Sequence, residues 1–291
     1  MILKKIAVLL TCYNRKAKTI ACLTSLYNCF LPVEYSFEVY LVDDGSTDGT
    51  ANTVRVNFPQ VKIFMGDSNL FWAGGMRYAW KEAVQSGYDS YLLLNDDVEL
   101  KQDVIKSLIE THVYAETHFA KGGIYVSSTS DKNTGMLTYG GSIIKKQIFR
   151  NEISAVIPSA KPIRCQIANA NILFVSANVV DKIGIFDARF IHSIADYDYT
   201  LTAYEQGFPL LVCPGIGGYC EIDHGKNWLS QNSTLKERIQ YLYSPKGLAF
   251  KEYLYYIRKH FPLSMPYLFI MQWTKTFFPA IWDKFKFNNR W

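Results

Sequence analysis

Short apolar runs alternate with helix-like segments over the first third of the sequence. Residues 6–10 form a continuous apolar run, which is typical of a parallel strand covered on both faces. Further strands are predicted at 37–42, 61–65 and 91–94, and helices at about 17–29, 46–57 and 74–87. This alternation predicts an α/β, Rossmann-like fold with a mostly parallel central sheet and helices on both faces.

The pattern changes after Asp97. The predicted elements are a helix over about 101–116, polar and Gly-rich strand-like pieces over 122–175, a turn over 181–187, and a helix over 195–206. Gly207 follows this last helix, in the position where a glycine commonly ends one. We predict a catalytic domain at 1–243 and a C-terminal helical extension at 244–291.

The C-terminal extension is basic and rich in aromatic residues. It contains eight Lys and Arg residues against only Glu252 and Asp283. Segments of this composition often lie on anionic membrane surfaces. The alternative is a helical appendage that packs on the catalytic domain or on a second subunit, as in a homodimer. The sequence leaves both interpretations open.

Composition describes a globular protein that builds a core, because 49% of the 291 residues are hydrophobic and only 20% are charged. The net charge of +5 is mild and too diffuse over most of the chain to indicate a nucleic-acid partner. The first apolar run is too short for a signal peptide, and the six cysteines form no CxxC pair. These features predict reduced thiols and a cytoplasmic protein, at the inner face of the plasma membrane if the extension binds lipid.

Polar residues follow the first two predicted strands, at 11–15 and 43–46. In a parallel sheet, both loops open on the same edge. A carboxylate there can accept hydrogen bonds from a nucleotide base or from ribose hydroxyls. The alternative is that Asp43 and Asp44 only cap the helix that follows them.

A glycine pair stands at the start of the helix predicted at 74–87. Without side chains, Gly74 and Gly75 would let backbone N–H groups approach a phosphate, aided by the helix dipole. Arg77 would add a charged hydrogen bond to a diphosphate. The alternative is a plain tight turn.

The strongest chemical signal is the sequence Asn95-Asp96-Asp97 directly after the fourth strand. Mg²⁺ and Mn²⁺ bind carboxylate, phosphate and water oxygens, so this loop predicts a divalent-metal site. A second acidic pair, Asp196 and Asp198, lies on the first turn of a predicted helix. An ionised carboxylate there could take a proton from an acceptor hydroxyl.

A histidine later in the chain is a second candidate ligand. His224 follows a strand-like segment at 210–213 and could bring an imidazole to the metal or to the diphosphate. The alternative is an ordinary structural histidine.

In order, these pieces resemble the family 2 glycosyltransferases, which are inverting enzymes with the GT-A fold. The resemblance covers roughly residues 4–225. It rests on five motifs in the family's order: Thr11-Cys12-Tyr13-Asn14-Arg15, Val42-Asp43-Asp44-Gly45-Ser46-Thr47-Asp48, the loop from Asn69 to Gly75, Leu94-Asn95-Asp96-Asp97, and Asp196-Tyr197-Asp198.

The resemblance implies that Thr11, Asn14 and Asp44 surround the nucleotide base and ribose. The whole predicted nucleotide-sugar site consists of Thr11, Tyr13, Asn14, Arg15, Asp43, Asp44, Asn69, Gly74, Gly75, Arg77, Asn95 and Asp96. The implied donor is a UDP-, dTDP- or GDP-sugar.

The resemblance also assigns the metal and the base. Asp97 would bind an Mg²⁺ or Mn²⁺ ion at the donor diphosphate, with Asp96 near the ribose or sugar. Asp196 matches the family's catalytic base. Because Ala195 precedes it, where the family usually has an acidic residue, Asp198 stays an alternative.

We therefore predict a metal-dependent inverting glycosyltransferase. Its acceptor would be a glycan or a polyprenyl-linked sugar. The glycine loop resembles that of bacterial rhamnosyltransferase-like enzymes of surface-polysaccharide synthesis. Two alternatives are a sugar nucleotidyltransferase, which usually has a glycine-rich loop after its first strand, and a non-catalytic nucleotide-sugar-binding protein.

Overall fold

The structure, a computed structural model, describes residues 3–145, 151–222 and 233–279. The first part alternates strands and helices: β1 (Lys4–Cys12), α1 (Lys16–Tyr27), β2 (Tyr35–Asp43), α2 (Thr50–Asn57), β3 (Lys62–Met65), α3 (Phe71–Val84), β4 (Ser90–Leu94), β5 (Glu99–Leu100) and α4 (Val104–Phe119). Short strands dominate the next part: β6 (Ile124–Ser130), β7 (Leu137–Tyr139), β8 (Gly141–Lys145), β9 (Glu152–Ala155), β10 (Ile163–Arg164), β11 (Ile167–Ala168) and β12 (Ile172–Ser176). The remaining elements are α5 (Ala177–Ile183), α6 (Ala195–Glu205), β13 (Leu210–Tyr219), α7 (Leu235–Tyr243), α8 (Phe250–His260) and α9 (Met265–Phe277).

One large sheet carries the fold, with the strand order β10-β13-β6-β12-β4-β1-β2-β3. Strand β1 pairs in parallel with β2 and β4, β2 pairs in parallel with β3, and β6 pairs in parallel with β13. Strand β12 runs antiparallel between β4 and β6. The predicted α/β fold with a mostly parallel central sheet is therefore confirmed. A separate small sheet has the order β11-β8-β9.

Successive side chains of β1 point to opposite faces of the sheet, and a helix covers each face. Ile6, Val8 and Leu10 pack in one buried cluster with Leu23 and Leu26 of α1. Side chains of the opposite parity face α3, since Thr11 contacts that helix. Apolar residues buried on both faces explain why β1 reads as a continuous apolar run.

Several element boundaries differ from the sequence prediction. Helix α3 begins at Phe71, three residues before the glycine pair, so Gly74 and Gly75 lie inside its first turns. The predicted turn over 181–187 is wrong at its start, because α5 extends to Ile183. Helix α6 matches its prediction, and Gly207 follows it with φ +79°.

The described residues divide into two compact units. The larger contains 3–144, 153–191 and 195–222, and the second contains Lys145, 151–152, 192–194 and 233–279. Within the second unit, α7 begins at a capping box in which the Glu237 N–H donates to Thr234 Oγ1 and the Thr234 N–H donates to Glu237 Oε2. The domain boundary between 243 and 244 stays a prediction. Across the described ranges, no helix combines the length and apolar character needed to cross a membrane.

Candidate active site

The acidic loop leaves the central sheet at the carboxyl end of β4, whose five residues are all buried. The Asn95 N–H donates to the carbonyl oxygen of Asn171 at 3.1 Å. Trp72 Nε1 donates to Asn95 Oδ1 at 2.8 Å. These bonds fix the loop between α3 and the segment just before β12. Asn95 therefore has a positioning role, and its contact with a donor stays a prediction.

The two carboxylates of this loop share one guanidinium. Arg15 Nη1 lies 2.7 Å from Asp97 Oδ2 and 3.3 Å from Asp96 Oδ1. Asp96 Oδ2 also accepts a hydrogen bond from Thr19 Oγ1 at 3.3 Å. Burial raises the pKa of Asp96 to about 6, and the positive charge of Arg15 opposes that rise. The structure thus brings three predicted site residues together.

Two cysteine thiols also contact the acidic loop. Cys220 Sγ lies 3.7 Å from Asp97 Oδ1, and Asn171 Nδ2 donates to Cys220 Sγ at 3.5 Å. Burial, followed by the charge of Asp97, raises the pKa of Cys220 to about 12. The thiol therefore keeps its proton and can donate a hydrogen bond to the Asp97 carboxylate. Cys22 Sγ donates in the same way to the Asn95 carbonyl oxygen at 3.3 Å.

The loops after β1 and β2 are joined by Asn14. Its N–H donates to Ser46 Oγ at 2.8 Å, and its Oδ1 accepts from the Thr47 N–H at 2.8 Å. Asn14 has φ +52°, a left-handed conformation that asparagine tolerates better than most residues. Tyr13, next to it, has an exposed side chain. The predicted meeting of the two loops is present, with Tyr13 available to a ligand.

The adjacent carboxylates after β2 have different surroundings. Asp44 accepts from the Ser68 N–H at 2.9 Å and from the Phe71 N–H at 3.1 Å. It therefore ties the loop before α3 to the sheet. Asp43 is wholly buried and accepts from the Ser46 N–H at 2.7 Å, while its Oδ2 has no hydrogen-bond partner in the described part of the chain. A nucleotide contact of either carboxylate stays a prediction.

The glycine pair packs against protein. A Cβ on Gly75 would lie 2.1 Å from Thr11 Oγ1, so only glycine lets α3 approach β1 this closely. The N–H groups of Ala73 and Gly74 both donate to the carbonyl oxygen of Ile191, at 3.1 and 3.3 Å. These amides already have an acceptor, so the geometry favours packing over the phosphate cradle predicted from sequence.

Arg77 is also engaged by the protein. Its Nη1 donates to the Phe190 carbonyl oxygen at 2.9 Å and to that of Asp187 at 3.3 Å. Burial lowers the pKa of its guanidinium. Arg77 therefore holds the segment before α6, and its contact with a diphosphate stays a prediction. Asn69 is exposed just before α3, and its Nδ2 donates to the Asp67 carbonyl oxygen at 3.1 Å.

Asp196 is held at the start of α6 by two backbone amides. The Ala170 N–H donates to its Oδ2 at 3.2 Å, and the Tyr197 N–H donates to its Oδ1 at 2.9 Å. Burial raises the pKa of Asp196 to about 6, although both amides act to lower it. Asp198 is almost fully buried, whereas Asp196 is partly accessible. Accessibility therefore favours Asp196 as the base.

The two acidic motifs meet through two neighbouring residues. Ala170 donates to Asp196, and the carbonyl of Asn171 accepts from Asn95 at the start of the acidic loop. Because Ala170 and Asn171 are consecutive, Asp196 and the loop carrying Asp97 lie on the same side of the larger unit. Residues a hundred positions apart thus border one region at the carboxyl end of β4.

A divalent cation suits the donor chemistry of this region. Asp96 and Asp97 place two carboxylates against the single cation of Arg15, and Mg²⁺ or Mn²⁺ needs only one or two carboxylates when phosphate and water supply the other oxygens. Among residues 3–145, 151–222 and 233–279, no group of three or more His, Cys, Asp or Glu side chains is arranged to hold a metal. His224, the second predicted ligand, lies outside the described residues.

Sequence reasoning missed Thr19, Cys22 and Cys220, which all touch the acidic loop. Thr19 lies four residues after Arg15, so both fall on one face of α1, and this spacing was a usable signal. Cys220 is 123 residues from Asp97 and no local pattern connects them.

The sequence profile of glycosyl transferase family 2 matches residues 7–170, which is more than half of the chain. The chain belongs to this family. The match includes Arg15, Asp96 and Asp97 but ends before Asp196. No curated protein matches the sequence.

Two solved structures share the fold of this family 2 protein. GalNAc-T7, crystallised with UDP, GalNAc and Mn²⁺, is 15% identical with a TM-score of 0.58, over 89% of this chain and 54% of that chain. S. aureus TarS 1-349, crystallised with UDP-GlcNAc, is 16% identical with a TM-score of 0.55, over 90% of this chain and 74% of that chain. The chain thus spans about half the length of GalNAc-T7. At these identities the likeness shows the fold alone, and that fold is GT-A.

Proposed function

We propose that this protein is an inverting glycosyltransferase that moves a sugar from a nucleoside diphosphate to an acceptor hydroxyl. The observation that carries the proposal is the placement of Asp196 beside the acidic loop, with a pKa of about 6. A carboxylate with that pKa is ionised near neutral pH and still basic enough to accept a proton. Family membership supports the reaction class.

In the proposed reaction, the acceptor oxygen attacks the anomeric carbon from the side opposite the diphosphate. The new carbon–oxygen bond forms as the bond to the diphosphate breaks, which inverts the anomeric centre. Asp196 takes the hydroxyl proton, while the Ala170 and Tyr197 amides hold its carboxylate in place. Arg15 partly offsets the charge of Asp96 and Asp97 where the diphosphate departs.

A divalent cation held by Asp97 would neutralise charge on the departing diphosphate. GalNAc-T7 was crystallised with Mn²⁺ and UDP, and TarS with UDP-GlcNAc, which supports a metal and a UDP-sugar donor here. We also propose a glycan or polyprenyl-linked acceptor and a role in bacterial surface-polysaccharide synthesis. The six free thiols support a cytoplasmic location.

The matched substitutions Asp196→Asn and Asp198→Asn test the base. We expect Asp196→Asn to lower the transfer rate by about a hundredfold to ten-thousandfold, because that is the usual contribution of a general base. Donor binding, measured as a thermal shift with each nucleotide sugar and Mn²⁺, should be retained because a bound donor stabilises the native state. Asp198→Asn should keep most of the activity of the folded protein.

The opposite pattern, loss only in Asp198→Asn, would move the base to that residue. Full activity in both variants would remove the proposed mechanism.

The reaction products separate the alternative functions. A glycosyltransferase releases a nucleoside diphosphate, a nucleotidyltransferase releases pyrophosphate, and a pure binding protein releases neither.

A further inference from the structure

Helix α9 exposes large apolar side chains, although an ordinary surface helix exposes polar ones. Its buried residues are Leu268, Gln272 and Thr276, of which two are polar. Its outward side chains include Tyr267, Ile270 and Phe277. A surface helix normally exposes its polar stripe, so the apolar side chains on the exposed side of α9 are suited to an apolar environment.

The outward apolar residues lie along one side of the helix. We define the apolar face of α9 as Tyr267, Ile270 and Phe277 on the helix, together with Leu263 in the turn just before it and Phe278 just after it. Tyr267, Ile270 and Phe277 are separated by three and seven residues, which is the spacing of one helical face. Leu263 is 87% exposed, Ile270 64% and Phe278 58%. Single exposed apolar residues are common, but a row of large ones on one face marks an interaction surface.

Charge is segregated to the same part of the chain. Residues 233–291 contain ten basic and three acidic residues, a net charge of +7. Residues 1–232 contain 21 basic and 23 acidic residues, a net charge of −2. The exposed cations Lys251 and Arg258 lie on α8, the helix just before α9. The positive charge of the protein is therefore concentrated in the segment that carries the apolar face.

This combination favours an anionic lipid surface over a second copy of the chain. Self-association through the apolar face of α9 would bring two strongly positive segments together, and like charges would oppose it. An anionic bilayer offers hydrocarbon to the apolar side chains and negative headgroups to the cations. The amphipathic ring of Tyr267 also suits the boundary between headgroups and hydrocarbon.

We propose that the apolar face of α9 docks on an anionic lipid bilayer, with the helix lying along the membrane surface and the cations of α8 contacting headgroups. With 13 residues, α9 is about 20 Å long, which is shorter than the hydrocarbon thickness of about 30 Å. This contact would bring the enzyme to a lipid-linked acceptor, although binding itself does not depend on the proposed transfer reaction.

Vesicle flotation of the full chain tests the proposal, with vesicles of phosphatidylcholine alone or mixed with phosphatidylglycerol. We expect strong binding to the mixed vesicles and weak binding to the neutral ones. The triple variant Leu263→Gln, Ile270→Gln, Phe278→Gln should bind at least about tenfold more weakly, because each large side chain contributes to burial in lipid. The double variant Lys251→Ala, Arg258→Ala should also bind more weakly, and mainly at low salt.

Matched controls come from the larger unit. Val33, Val56 and Met136 are 85%, 80% and 68% exposed, so changing all three to Gln removes similar apolar surface elsewhere. Lys161→Ala with Lys182→Ala removes two exposed cations in the same way. Both controls should bind vesicles like the unchanged protein.

Three results would overturn the proposal. They are no binding of the unchanged protein to anionic vesicles, equal binding by the triple Gln variant, and a dimer in solution that this variant dissociates without any vesicle binding. Asp196→Asn should bind vesicles normally. Loss of lipid binding with normal nucleoside diphosphate release on a water-soluble acceptor would therefore leave the transfer reaction intact.

Discussion

Two aspartates of the site have a pKa of about 6, and burial is the main cause for both. Their partners differ. Asp96 lies beside the permanent charge of Arg15, whereas Asp196 accepts only from backbone amides. Asp96 therefore belongs to a group of two carboxylates that one guanidinium partly neutralises, while Asp196 is held by backbone amides and can take the proton of a hydroxyl.

The pH dependence of transfer follows from the raised pKa of Asp196. The base works only when ionised, so the rate at saturating donor should rise with pH and level off above about 6. At one unit below the pKa, roughly a tenth of the plateau rate should remain. The measurement is an initial-rate profile between pH 4.5 and 8, about the range in which a carboxylate of this kind titrates.

The stability of the fold should change in the opposite direction. Because the folded-state pKa of Asp196 is raised, its contribution to stability is fully present below pH 3.8 and is lost as the pH rises through about 6.

A transfer rate that stays flat from pH 5 to 7 would contradict the assignment of Asp196. The same profile measured on Asp198→Asn serves as the control.

At the scale of elements, the contact between α3 and β1 decides how the glycine pair is interpreted. Gly75 meets Thr11 at a distance no side chain would allow, while the nearest atom to a Cβ on Gly74 is Leu70 Cβ at 3.4 Å. The two neighbouring glycines thus have different constraints. Only the packing of the helix on the sheet distinguishes them.

Substituting alanine for Gly75 and for Gly74 should change the free energy of unfolding differently. Gly75→Ala should lower the free energy of unfolding by about 1–3 kcal/mol, because the added methyl group overpacks a buried contact. Gly74→Ala should be neutral or stabilising by up to about 1 kcal/mol, because alanine favours the helix. Urea unfolding of both variants measures the difference. Equal stabilities would show that the contact with Thr11 is not tight.

Local sequence pattern predicts some elements of this fold well and misplaces others. Buried strands such as β1 and β4 are clear from their apolar runs, since both faces are covered. Helix α3 begins earlier than predicted because Asp44 accepts from the Phe71 N–H, a contact across 27 residues. Arg77 looked like an anion ligand by its position in sequence, but its partners come from a segment 110 residues later.

At the scale of the whole molecule, the cysteines are dispersed and mostly buried. All six are free, and only Cys29 is partly accessible. Burial, with a smaller effect of Asp103, raises the pKa of Cys29 to about 12, so little thiolate is present at neutral pH. A thiolate is the reactive form, and the folded chain should therefore resist thiol reagents.

Thiol titration checks this arrangement. With an aromatic disulfide reagent at pH 8 (an assay pH near the ordinary thiol pKa of about 8.5), the native protein should react slowly. All six thiols should react after unfolding in guanidinium. A sample reduced beforehand is the control and should give the same total. A total of four without reduction would reveal a disulfide and argue against a reducing compartment.

The amino-acid pattern is enough to predict the α/β class, the parallel strands, the acidic motifs and the basic, aromatic character of the C-terminal segment. These features depend on local periodicity and residue chemistry. Three others come from tertiary contacts: Arg15 bridges Asp96 and Asp97, Gly75 allows close packing, and α9 exposes apolar side chains. Each of these is a contact or an orientation set by distant parts of the chain, so it cannot be predicted from local sequence pattern.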